Sequence, residues 1–160
     1  FHSQGEDDKT ILFSAIHEQN ANAVELLLNY PNIDIESPAS GCFLPFFIAC
    51  GCCSYLKIIE LFCKNPKFDI NWTDTKYGFT AVHFCAIKSN FYDLQFIFDY
   101  FPDFNVDIPM NLLKRCYKKG YVMTVKVLLK YFMKKNSVTN TDEFFNRVKE
   151  YVPDVVEIMK

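Results

Sequence analysis

The stretch Gly78-Phe79-Thr80-Ala81-Val82-His83-Phe84-Cys85-Ala86 decides how the rest of the chain is read. A glycine suits a tight turn, a threonine caps the helix that follows, and small residues let paired helices approach closely. The pattern predicts a short helix from Ala81 to Ser89. Downstream lies a second apolar helical cluster, Leu94-Gln95-Phe96-Ile97-Phe98, and then Pro102-Asp103-Phe104-Asn105-Val106. There the proline stops the helix, and polar residues alternate with apolar ones.

The same succession recurs on both sides. Upstream, Val24-Glu25-Leu26-Leu27-Leu28 and Ile58-Ile59-Glu60-Leu61-Phe62-Cys63 match the Leu94 cluster, and the ends Leu28, Cys63 and Phe98 fall 35 residues apart. Pro31-Asn32-Ile33-Asp34-Ile35 and Pro66-Lys67-Phe68-Asp69-Ile70 are the matching turns. Shorter helical stretches, Leu12 to Gln19 and Pro45 to Cys53, precede the clusters. Thr10-Ile11-Leu12-Phe13-Ser14-Ala15 and Leu44-Pro45-Phe46-Phe47-Ile48-Ala49 are looser copies of the opening stretch. Downstream, Gly120-Tyr121-Val122-Met123-Thr124-Val125-Lys126-Val127-Leu128-Leu129 follows a first helix containing Asn111-Leu112-Leu113 and Cys116, with an offset shortened to 31 residues. Val155-Val156-Glu157-Ile158-Met159 repeats it at the same offset, after Thr141-Asp142-Glu143-Phe144-Phe145 opens a helix with a capping residue. Five helix pairs are predicted, the last two without long fingers.

The Gly78–Ala86 stretch resembles the ankyrin signature Gly-x-Thr-Pro-Leu-His-x-Ala-Ala, with Ala81 where Pro is usual and Cys85 where Ala is usual. The resemblance extends over about 90% of the chain at a known repeat period. It implies an all-α ankyrin-repeat solenoid of about five stacked helix-turn-helix units, with short hairpin fingers between the early ones. One domain, 1–160, would hold units at approximately 8–36, 41–71, 77–106, 110–135 and 141–160. No such unit buries its own apolar face, so stability comes from stacking, and the end units need polar outer faces. Glu6, Asp7 and Asp8 at one end, and Glu143, Arg147, Lys149 and Glu150 at the other, suit that task. The stop at Lys160 inside the last predicted helix leads us to expect a longer parent protein.

Composition bounds the function. Half of the 160 residues are hydrophobic, and the formal net charge is −2, so a well-buried domain with no strong global pull toward nucleic acid or anionic membrane is expected. Seven cysteines, an odd and irregular set, fit a reducing, cytoplasmic setting better than a disulfide framework. The uncharged run from Ser37 to Leu56 approaches a membrane span in length. Pro38, Gly41, Pro45 and Gly51 interrupt it, and the repeat assigns each of its parts another job, so no membrane insertion is expected.

No catalytic signature is present: no Gly-x-Ser-x-Gly elbow, no His-Glu-x-x-His, no phosphate-cradling loop and no dinucleotide fingerprint. An enzyme is not expected, and neither is a cofactor or a small-molecule substrate. Cys50-Gly51-Cys52-Cys53 looks like half a zinc site, but no second Cys or His pair follows at ligand spacing. Cys50 and Cys85 fall where ankyrin units use Ala, which implies small buried thiols; Cys52 and Cys53 are candidates for exposure and oxidation. The resemblance gives His83 a structural role, donating to the adjacent finger.

Charge is segregated along the chain. Residues 1–107 carry fourteen acids and six bases, whereas residues 108–141 carry eight bases and no acid. Lys126, Lys130 and Lys134 recur every four residues as a solvated helix face. Lys114, Lys118 and Lys119 form a stripe on the preceding helix, suited to an acidic peptide or a phosphate. Nucleic acid is disfavoured, because no recognised binding module accompanies the basic block. Ankyrin proteins bind partners through finger tips and first helices lining a concave groove. The resemblance therefore implies contacts from His17 and Glu18, Ser40, Gly41 and Phe43, and Gly51 and Cys52. Lys76, Tyr77 and Phe79 follow on the next finger, then Ile87 and Lys88, and finally Lys118 and Lys119. Phe43 and Phe79 have packing between fingers as their other reading. The expected function is a protein-interaction scaffold, monomeric, for a protein or peptide partner. The alternatives are a recruiting module of a larger enzyme or effector and a phosphate- or nucleic-acid-binding module using the fourth unit.

Overall fold

A computed structural model describes residues 10–37, 44–52, 56–74, 76–104, 109–136 and 140–160. These form ten α-helices and, among the described residues, no strand. In order they are α1 (Ile11–His17), α2 (Ala21–Leu28), α3 (Pro45–Cys52), α4 (Leu56–Lys64), α5 (Ala81–Ile87), α6 (Phe91–Tyr100), α7 (Met110–Lys118), α8 (Val122–Lys135), α9 (Thr141–Val148) and α10 (Val155–Met159). The protein is all-α. Among the described residues, no helix is long and apolar enough to cross a membrane. The uncharged run 37–56 holds α3, eight residues long, and reaches only the first residue of α4.

Helices this short depend on satisfied ends. Thr10 accepts from the Phe13 N–H at 3.1 Å, Asn20 from Ala23 at 3.0 Å, Asn90 from Asp93 at 3.3 Å and Asn140 from Glu143 at 3.2 Å. Three first helices end in a left-handed residue: Gln19 (φ 60°), Ser89 (φ 60°) and Gly120 (φ 74°). The same two bonds close each turn. Gln19 donates to Ile16 and Asn20 to Ala15; Ser89 donates to Ala86 and Asn90 to Cys85; Gly120 donates to Tyr117 and Tyr121 to Cys116, all at 2.8–3.2 Å. One turn geometry thus recurs where the sequence repeat places it, although only one of the three residues is glycine.

The chain divides into two compact units, Phe1–Phe84 and Cys85–Lys160. In the first, α1 packs on α2 and on α3, and α4 packs on α3 and on α2. First helix therefore lies on first helix, and second on second. Leu12, Ile16, Phe46, Ile59 and Phe62 are fully buried there, each worth roughly 1.5–3 kcal/mol relative to exposure. Phe46 packs against Phe62 at 5.5 Å and Phe68 at 4.4 Å between ring centres. After α2 and after α4 the chain turns in the same way. Asp34 accepts from the Glu36 N–H at 3.0 Å and Asp69 from Asn71 at 2.9 Å, while the adjacent Ile35 and Ile70 are buried. Asn65 Nδ2 donates to the Leu28 carbonyl at 3.0 Å, supplying a partner at the end of α2.

In the second unit α8 is the hub: α6, α7 and α10 all pack on it, and α9 packs on α10. Phe98 of α6 stacks on Tyr131 of α8 at 4.2 Å with 12° between the planes, and the Tyr131 hydroxyl donates to the Phe104 carbonyl at 3.3 Å. Tyr117 donates its hydroxyl to Asp154 at 2.7 Å, tying α7 to the start of α10. Buried Cys116 donates its thiol to the Ala86 carbonyl at 3.4 Å.

Candidate functional site

The loop that leads into α5, expected to be the finger of the third unit and called the third finger below, is built on one carboxylate. Asp74 is 2% exposed. Its Oδ1 accepts from the N–H groups of Lys76 at 3.0 Å and Tyr77 at 2.7 Å, and its Oδ2 accepts from Phe79 at 2.5 Å. Backbone bonds from Asp74 N to Phe79 O (2.9 Å) and from Gly78 N to Asp74 O (3.1 Å) close the same loop. Gly78, at φ 66°, supplies the left-handed residue this turn requires. A buried charge held by three backbone donors is a strong clamp. It fixes the tip that carries Lys76 and Tyr77.

An aromatic ladder runs back from that tip. The Lys76 ammonium lies 5.0 Å over the Tyr77 ring, Tyr77 stacks on Phe79 at 5.5 Å, and Phe79 stacks on His83 at 5.2 Å with 4° between the planes. Phe84 receives Phe79 edge-on at 6.3 Å and stacks on Phe47 of α3 at 4.9 Å. Tyr77 is 56% exposed and Phe79 is half-buried. Phe79 is therefore chiefly a packing residue, and Lys76 and Tyr77 are the surface of the finger. His83 is buried at the opening of α5. Its Nδ1 accepts from the Thr80 N–H at 3.2 Å and lies 2.9 Å from the Thr80 hydroxyl. That places the ring proton of the neutral form on Nε2, and the side chain helps to cap its own helix.

The other predicted contact residues fall as follows. His17 ends α1 and Glu18 follows it, both exposed, with His17 Nδ1 3.9 Å from the Glu18 carboxylate and the His17 ring against Phe13 at 6.1 Å. In the second unit Lys88 is exposed beside half-buried Ile87, and Lys118 and Lys119 are exposed at the end of α7. The Lys119 ammonium lies 5.8 Å over Tyr121 and that of Lys114 5.9 Å over Tyr151. Ser40, Gly41 and Phe43, Cys53, and the side chain of Cys52 lie outside the described residues, as do Glu6, Asp7 and Asp8.

Cys50, Cys85 and Cys116 are buried. Burial pushes the Cys116 thiol up to about 11 and that of half-buried Cys63 up to about 12, so neither is a nucleophile at neutral pH. Among the described residues, no group of three or more His, Cys, Asp or Glu side chains is arranged to hold a metal ion.

Two acids escape a reading by pattern. Asp74 stands just ahead of a turn glycine, where an aspartate commonly accepts from the turn's own N–H groups; that signal was present. Asp93 is different. It is fully buried in α6, its Oδ2 takes the Asn90 amide, and its Oδ1 has no partner among the described residues. Burial raises its carboxyl to about 7.

No protein-family model matches the chain, and comparison with curated proteins yields no match.

Proposed function

We propose that the chain is an ankyrin-type repeat array that binds a partner protein or peptide and performs no catalysis of its own. The observation that carries this reading is the third finger: a buried aspartate holds an exposed lysine and tyrosine at the tip of a stacked aromatic ladder. An exposed tyrosine held rigidly in place is a residue type that anchors binding hot spots. Support for the repeat itself comes from the Gly78–Ala86 signature, the recurrent left-handed turn, and the first-on-first packing of α1 on α3. His17 and Glu18 join the finger as further contacts in this reading, and the odd, irregular set of seven cysteines fits a cytoplasmic setting.

The test uses Tyr77→Ala, which removes the exposed ring and leaves Phe79 against His83. The immobilised chain should capture a partner from the source cell, and the variant should lose most of that capture while melting within a degree or two of the parent. Undiminished capture by a folded Tyr77→Ala chain means that the finger is not the contact.

A further inference from the structure

In the second unit a groove of roughly 420 Å³ lies between α6 and α8. Its floor is the Phe98–Tyr131 stack with Val127 beside it, and the Tyr131–Phe104 hydrogen bond fixes the stack in place. The stack joins the carboxy-terminal halves of both helices.

The two walls carry opposite charge. On α6, Asp99 lines the groove and Asp103 continues that wall in the following turn; on α8, Lys130 and Lys134 line the other. Helical spacing extends the α8 wall back through Lys126 to Met123 and the α6 wall through Phe96 to Tyr92. Tyr92 is 60% exposed and Met123 49% exposed, so each helix keeps a large apolar side chain in solvent near its start. Among the described residues, none of Asp99, Asp103, Lys130 or Lys134 forms an ion pair, and Asp99 accepts only from the Gln95 amide, at 2.9 and 3.0 Å. The corresponding positions of α2 and α4 carry Asn22 and Lys57 where Tyr92 and Met123 stand, so stacking of helix pairs does not require the apolar pair.

From Met123 to Lys134 the wall is about 16 Å long at 1.5 Å per residue, the length of three helical turns. We infer that this groove receives an amphipathic helix of a partner protein. The apolar stripe of that helix lies on exposed Tyr92 and Met123 and on the small part of Phe98, Tyr131 and Val127 that is not buried, with acidic residues along the α8 wall and basic residues along the α6 wall. Asp99 and Asp103 argue against a polyanion, so neither nucleic acid nor an anionic bilayer fits as well as a bipolar helix. Helix-in-groove recognition uses this combination of apolar anchors and charged flanks. The site is separate from the third finger and does not depend on that reading.

The experiment pans the full chain with displayed 14-residue peptides that have apolar residues at helical spacing and flanks randomised among Glu, Lys and Ser. Recovered peptides should carry Glu on one flank and Lys on the other. They should bind the Lys130→Glu/Lys134→Glu chain about tenfold or more weakly, and a peptide with its Glu flank changed to Lys should recover that loss. Circular dichroism checks that the reversed chain is folded, and Tyr77→Ala should leave peptide binding unchanged. The inference is overturned if nothing is recovered, if recovered peptides are acidic on both flanks, or if the reversed chain binds the parent peptide equally well. A dimer of the chain that Lys130→Glu/Lys134→Glu dissociates would overturn it in favour of a second copy.

Discussion

Replacing Asp93 by Asn should remove a pH dependence of stability that the wild-type chain shows between pH 5 and pH 8. The carboxyl titrates near 3.8 in an exposed chain and at about 7 in the fold, because burial opposes its ionisation more than the Asn90 amide favours it. Across that interval the folded chain holds a proton that the unfolded chain has released. Stability therefore falls as pH rises from about 4 to 7 and levels off above. About two pKa units of the shift lie between pH 5 and pH 8, worth ~2–3 kcal/mol, or roughly 5–10 °C of melting temperature for a chain this size. Glu60 is shifted downward by its hydrogen bond to Lys64 and by the Lys57 and Lys64 charges, so its window lies below 4.5 and does not overlap. Thermal melts followed by far-ultraviolet circular dichroism, at matched ionic strength, read the effect directly. From pH 5 to pH 8 the wild type should lose stability relative to Asp93→Asn; His83 is buried in both proteins, so its contribution cancels in the difference. An equal slope in both proteins would refute the account.

Three further outcomes follow from particular contacts. Thr124 is fully buried with its hydroxyl unpartnered among the described residues, so the near-isosteric Thr124→Val should stabilise the chain by about 1 kcal/mol in urea titration; destabilisation would mean that the hydroxyl has a partner in solution. Ser89 holds φ 60° without being glycine, so Ser89→Gly should gain ~0.5–1 kcal/mol and Gly120→Ala lose ~1–2 kcal/mol, both read by thermal melts. Asp74→Ala removes the acceptor of three finger N–H groups and should cost ~2–3 kcal/mol. Hydrogen exchange should then speed up at Lys76, Tyr77 and Phe79 before it does at α1 or α2.

Helix existence was legible in the sequence for a local reason. The second helices α2, α4 and α6 announce themselves by apolar periodicity and a following proline, and Thr10 and Asn20 cap by reaching only three residues along the chain. The starts of α3 and α5 at Pro45 and Ala81 agree with the pattern, and α1 and α5 stop two residues earlier than expected. They stop because the next residues enter the left-handed turn, which Gln19 and Ser89 adopt without the glycine that would have marked it. Of the candidate site, the sequence named Lys76, Tyr77 and Phe79 but not their division of labour.

That division was decided by tertiary structure. Phe79 turns inward because His83 and Phe84 offer it rings to stack on, and Tyr77 stays out because Asp74 fixes the tip beyond them. Asp93 looks like any helix acid in the one-dimensional pattern. It becomes a proton-linked group only because the packing of the second unit closes over it. The α8 lysines read as a solvated stripe until α6 sets Asp99 and Asp103 across a groove from them. Periodicity, caps and turns are encoded within a few residues of one another, and so the sequence by itself determined them. Burial and the facing of opposite charges depend on elements some 30 residues apart, and only the fold brings those together.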